Sequence, residues 1–111
     1  MKANHVLPPE EAALSFAALG SEQRLSVLRT LVRAGPEGLS IGDLGARCGI
    51  TGSTLTFHVK TLAQAGLVTQ QRQGRQIICA AAHAGIRRLS DFLLSECCAD
   101  SPTPHEDHIH G

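Results

Sequence analysis

Thr51-Gly52-Ser53-Thr54-Leu55-Thr56-Phe57-His58-Val59-Lys60-Thr61-Leu62 carries its apolar residues Leu55, Val59 and Leu62 at spacings of four and three, which predicts a helix with that stripe turned inward. Ser53, Thr54, Thr56 and Phe57 then face more outward. Gly66 closes this helix, and the period changes after it. Leu67–Arg72 and Gln76–Ala80 are β-prone runs around Gln73-Gly74-Arg75, which reads as a hairpin with a glycine turn and a basic tip.

Four further helices are expected around this unit. Pro8-Pro9-Glu10-Glu11 opens the first, because proline suits a first helical turn and acids there favour the dipole. Ser21 caps the second, with Leu25, Leu28, Leu31 and Val32 on one face, and Gly35-Pro36 stops it. Ser40-x-x-Asp43 resembles a capping box for a short third helix bearing Ile41, Leu44 and Cys48, in which Gly42 and Gly45 are weakening residues. The last helix runs from about Ala84 to Cys98, with Ile86, Leu89, Phe92 and Leu93 apolar. The organisation expected is an N-terminal arm at 1–8, one folded domain at 9–98, and a disordered tail at 99–111, where prolines and charges replace apolar residues. The fold class is mainly α with a small β-hairpin wing: a winged helix-turn-helix.

Composition limits the rest. Three Phe and no Trp or Tyr leave an aliphatic core, and a small domain of this kind gains from dimerisation. Residues 1–9 lack a basic start followed by an apolar run, which argues against a signal peptide, and no stretch approaches the ~20 apolar residues of a membrane span. Four cysteines without a secretory signal suggest a cytoplasmic protein with thiols, where clusters point to metal binding or redox chemistry. The net charge is zero, yet no Asp or Glu falls between Leu44 and Ser90, where Arg47, Lys60, Arg72, Arg75, Arg87 and Arg88 lie. A basic middle between acidic ends is the footprint of a polyanion site.

The second helix of a helix-turn-helix enters the major groove, with residues near its start facing base edges. Hydroxyl side chains there can bond phosphates or bases, a lysine can neutralise a phosphate, and wing arginines can reach phosphate or minor groove. The expected DNA-facing set is Arg47, Ser53, Thr54, Thr56, Phe57, His58, Lys60, Arg72 and Arg75, on double-stranded operator DNA. For His58 two roles stand side by side: a phosphate contact, or a hydrogen bond across the turn.

Leu19-Gly20-Ser21-x-x-Arg24-Leu25-x-Val27-Leu28 and the run from Ser53 to Lys60, continued by Leu62, Ala65, Gly66, Leu67 and Val68, resemble the ArsR family of bacterial repressors over roughly Ala12 to Cys98. The resemblance implies a homodimer held by the first and last helices. It also implies repression of a resistance or homeostasis operon, with release of DNA when an inducer binds. The cysteine pair that many arsenic-responsive members carry in the third helix is absent from Leu39–Leu44, and Asp91 lacks the His two residues on that zinc-sensing members use. Cys97-Cys98 resembles the pair ending the last helix in another group of arsenical repressors.

The chemistry of that pair suits As(III) or Sb(III) as inducer, because thiolates are soft ligands; no organic cofactor is expected. Inorganic trivalent arsenic has three positions for thiolates, and Cys79 of the partner subunit could supply the third if the last helices pair antiparallel. A methylated arsenical has two, and Cys97 and Cys98 would suffice. Cys48 reads as core. The tail histidines His105, His108 and His110 could hold Zn²⁺ or Ni²⁺ weakly, although a flexible tail more often binds nothing specific. Two other functions remain open: a thiol-redox or persulfide-responsive repressor joining Cys79 or Cys48 to Cys97 or Cys98, and an arsenical-handling enzyme or thiol carrier. Nothing basic flanks Cys97-Cys98 to favour the former, and no Cys-x-x-Cys, phosphate loop or acid–base pair supports the latter.

Overall fold

The computed structural model describes residues 6–102. Helices α1 (Pro9–Ala18), α2 (Glu22–Ala34), α3 (Ile41–Cys48), α4 (Gly52–Gln64) and α5 (His83–Leu94) surround a small sheet of β1 (Leu39–Ser40), β2 (Val68–Gln73) and β3 (Gln76–Ala81). The strands are antiparallel in the order β1-β3-β2. This is a winged helix-turn-helix, with β2 and β3 as the wing. The histidines His105, His108 and His110 lie outside the described residues, as do most of the expected tail and arm. Leu7, assigned to the arm, is instead buried in the core.

The caps form as their side chains dictate. Ser21 Oγ accepts the Arg24 amide at 3.3 Å to start α2, and Ser40 Oγ accepts the Asp43 amide at 3.1 Å to start α3. Gly35 (φ 88°) ends α2. The core is aliphatic. Val27 and Leu31 of α2, Leu44 of α3, Val59 and Leu62 of α4, Leu67, and Cys79 of β3 are its fully buried side chains. Ser15 of α1 donates its hydroxyl to the Ala65 carbonyl at 3.0 Å, fastening α1 to the end of α4.

Three details differ from the sequence reading. In α2 the inward residues are Val27, Leu28 and Leu31, whereas Leu25 and Val32 are 41% and 43% exposed. The strand β1 is additional: two residues pair Leu39 with Cys79 and Ser40 with Ile78, too short a run to show a period of its own. And α5 stops at Leu94 rather than reaching Cys98. Beyond it the backbone bonds are i→i+3, with the Cys97 amide on Leu94, Ala99 on Glu96 and Ser101 on Cys98. Ser95 also turns its hydroxyl back to the Phe92 carbonyl at 3.0 Å. Serine competes with the helical ladder in this way, and Cys98 then takes a left-handed φ of 64°.

The turn between α3 and α4 explains a glycine that looked only weakening. At Gly45 a Cβ would lie 2.7 Å from the Ile50 carbonyl oxygen and 3.1 Å from Leu55 Cδ2, while at Gly42 it would meet nothing. Gly45 lets the backbone of the turn close onto α3. Gly45→Ala should therefore destabilise the fold by about 1–3 kcal/mol through overpacking. Gly42→Ala, three residues earlier, should stabilise it by up to ~1 kcal/mol through the lower chain entropy of alanine. Urea midpoints of the two variants moving in opposite directions would establish this, and a neutral Gly45→Ala would refute it.

Candidate nucleic-acid interface and cysteine pair

Packing decides which face of α4 is available. With Leu55, Val59 and Leu62 buried against α2 and the hairpin, Ser53, Thr54, Thr56, Phe57 and Lys60 are left on the surface. Phe57 is 60% exposed, an unusual position for a large aromatic side chain on a folded domain. Thr56 Oγ1 makes only a long bond, 3.4 Å, to the Gly52 carbonyl of its own helix. No acidic residue occupies the first turn of α4, so the amides there face solvent without a built-in anion. Arg47 in the last turn of α3, and Arg72 and Arg75 on and beside the wing, are exposed as well. The expected set thus emerges as surface groups on α3, α4 and the wing, with one exception.

That exception is His58. It is 8% exposed and packs on the inner side of α4. Its Nε2 lies 3.1 Å from Gln23 Oε1, and its Nδ1 lies 3.4 Å from an Arg24 guanidinium nitrogen. The hydrogen bond therefore runs not across the turn but back to α2, and His58 has no free edge to offer a phosphate. Arg24 itself is anchored, donating from Nε to the Ala18 carbonyl at 2.6 Å.

The cysteines divide sharply. Cys97 and Cys98 are exposed, in the turns that follow α5, with their sulfurs 3.5 Å apart. Cys79 is fully buried in the central strand, between Leu39 and Gln70 in register. Burial raises its thiol above the ordinary cysteine range by desolvating the thiolate. This corrects the expectation of Cys79 as a third ligand from a partner, since a side chain inside the core cannot meet a second subunit. Cys48 is half-buried, its sulfur 3.6 Å from the Thr30 hydroxyl, as a core-edge residue. Among the described residues no three His, Cys, Asp or Glu side chains gather into a metal site.

Comparison with known proteins fits this geometry. Residues 19–71 match a family described as a helix-turn-helix domain, a span from just after α1 into β2. An uncharacterised HTH-type transcriptional regulator of Bacillus subtilis, YceK, is 43% identical over 60 residues, covering 54% of this chain. The chain spans 59% of the length of that relative. An ArsR-like transcriptional regulator from Rhodococcus superposes with a TM-score of 0.70 at 28% identity, with 83% of each chain covered. A homodimeric winged helix-turn-helix DNA-binding domain from Mycobacterium bovis superposes at 0.63 with 24% identity, covering 92% of this chain and 90% of that one. The fold is a winged helix-turn-helix, and the relatives named here are described as transcriptional regulators or as a DNA-binding domain. Within that fold, the similarity runs to regulators of the ArsR type.

No helix among the described residues is long and apolar enough to cross a membrane. The exposure of the thiols generates a chemical test. A maleimide at neutral pH should modify Cys97 and Cys98 in the folded protein, and Cys79 only after denaturation, because a buried thiol of raised pKa offers little thiolate. Peptide mass mapping would show it, and rapid native labelling of Cys79 would contradict the buried placement.

Proposed function

We propose that the protein is a homodimeric transcriptional repressor that leaves operator DNA when trivalent arsenic or antimony bridges Cys97 and Cys98. The observation that carries the sensing half is the exposed sulfur pair, 3.5 Å apart. With bonds of ~2.3 Å, the length of a zinc–thiolate bond, two sulfurs on one ion lie about 3.3–3.8 Å apart, so the pair is already at chelating distance. Each arsenic–sulfur bond displaces one hydroxyl from the trivalent acid, and that hydroxyl leaves as water with the thiol proton. Two cysteines per chain fill both open positions of a methylated arsenical. With Cys79 enclosed, that two-thiolate ligand is the better fit.

The DNA half rests on the polar outer face of α4 and the basic groups flanking it. Exposed Leu14 on α1 and Leu93 and Leu94 on α5, each about 64–65% exposed, suit a dimer contact through the first and last helices, as does the homodimeric relative. A cytoplasmic location goes with this role. The redox alternative loses its Cys79 form, since that thiol is enclosed, and keeps the form that joins Cys48 to Cys97 or Cys98.

Two outcomes follow. Lys60→Ala should weaken binding to all duplexes alike and flatten the log K against log salt slope by about one per contact, about two per dimer. An unchanged slope would take Lys60 out of the interface. The decisive experiment is release of the protein from a duplex taken from upstream of its own coding sequence, titrated with arsenite, antimonite, methylarsenite and zinc. Release by an arsenical should be lost, or shifted by more than the ~10–100-fold that removal of an outer-shell metal partner costs, in Cys97→Ser/Cys98→Ser. Methylarsenite acting at lower concentration than arsenite would support the two-thiolate site. Absence of release by any arsenical would end the metalloid assignment and leave the DNA-binding assignment standing.

A further inference from the structure

We infer that His58 is a positioning residue for DNA binding: as a neutral imidazole bonded to Gln23 and Arg24, it fixes the pose of α4, and its protonation releases that pose. The inference rests on the DNA-binding reading above and concerns how the reading surface is held. The bonding partners fix the state of the ring. A guanidinium has donors only, so Nδ1, 3.4 Å from Arg24, must be the acceptor. The proton of the neutral ring is then on Nε2, which donates to Gln23 Oε1 at 3.1 Å. In this one tautomer both ring nitrogens are satisfied in a site that is 8% exposed.

The link is continuous between elements. Arg24 holds the Ala18 carbonyl, the last residue of α1, with Nε while another guanidinium nitrogen meets the ring on α4. Arg24 and His58 thus tie α1, α2 and α4 at one point, one residue away from exposed Phe57 on the outer face. From α2 the groups facing the ring are Gln23 and Arg24; from its own helix the neighbour is Phe57, with ring centroids 5.9 Å apart. From α1 the neutral Ala18 carbonyl is tied to the ring through Arg24. Among the described residues no carboxylate lies at ion-pair distance from the imidazole. A second proton would therefore place Nδ1–H against a guanidinium N–H. One hydrogen bond would be lost and two like charges would be held together in a half-dry site.

The test measures affinity for the upstream duplex by fluorescence anisotropy between about pH 8 and about pH 5.5. Three proteins are compared: the parent, His58→Asn and Gln23→Glu. Asparagine keeps an acceptor for Arg24 and takes up no proton. Any affinity this variant loses with the Gln23 bond should be lost alike at every pH, and the parent should lose about tenfold more affinity on acidification than this variant does. His83 and the terminal histidines are common to all three proteins and cancel in the comparison. Gln23 is exposed, so Gln23→Glu should fold, and its carboxylate would stabilise the charged ring and move the loss of affinity to higher pH. A merely structural histidine would not produce that shift. Parallel profiles for parent and His58→Asn, or an unmoved profile in Gln23→Glu, would overturn the inference alone. A parent that binds no duplex at the alkaline end would overturn the DNA-binding reading, and this inference with it.

Discussion

The contact between α2 and α4 is the constraint on which the rest of the structure depends. α4 has one face to bury and one to display, and the buried one is settled by Leu55, Val59 and Leu62 against the aliphatic surface that includes Val27, Leu28 and Leu31. Rotation of α4 by one residue would take about 100° of helix surface out of register and bring Thr56 or Lys60 toward the core. The polar outer face is therefore a consequence of packing. With no aromatic side chain fully buried, the core depends on many interlocking branched side chains, and each is sensitive to the loss or gain of a methylene.

Those parts of the fold whose signals are local were legible in the chain. The stripe on α4, the glycine turn at Gln73-Gly74-Arg75 and the caps at Ser21 and Ser40 each depend on residues within a few positions of one another, and all form as read. What was not legible depends on partners distant in sequence. His58 is on the inner side because Gln23 and Arg24, 35 and 34 residues away, provide the polar partners that make its burial tolerable. Without them a histidine between Phe57 and Val59 reads as a phosphate contact as readily as a hydrogen-bonding side chain. β1 exists only because β3 offers it an edge, and Leu25 and Val32 read as core because periodicity alone does not show which of two adjacent stripes meets the neighbour. The end of α5 has a local cause that is visible in the chain: Ser95 follows the apolar stripe and turns its hydroxyl back on the helix.

The four cysteines show how one side chain takes opposite roles according to solvent. Cys79 behaves as a small hydrophobe in the central strand, and its raised pKa is the electrostatic mark of that enclosure. Cys97 and Cys98 lie past the last helical hydrogen bonds, where a left-handed residue turns the chain and brings neighbouring side chains together. In a regular helix adjacent side chains diverge by about 100°, so the short sulfur separation belongs to the turn and not to the helix it was read as extending. The break at Leu94 thus accounts for the short separation of the two sulfurs.

Both chemically distinctive places in the molecule converge on α1. The cysteine pair follows α5, which packs on α1, and α1 is fastened to the end of α4 through Ser15 and to the middle of α4 through Ala18, Arg24 and His58. A ligand can shift a conformational equilibrium only by its differential affinity for the two states, and an arsenical that bridges two adjacent thiols favours whichever arrangement of the turn keeps them together. For that preference to reach the reading face, the segment between must move as a unit. α1 is joined to α4 at two places, directly from Ser15 to the Ala65 carbonyl and through Arg24 of α2 to His58, beside the apolar packing of its Ala12 and Ala18 in the core. Two fixed points determine the direction of a helix where one would leave it free to pivot. With α1 held at both places, the orientation of α4 relative to α1 depends on the Ser15–Ala65 bond and on the polar network around His58.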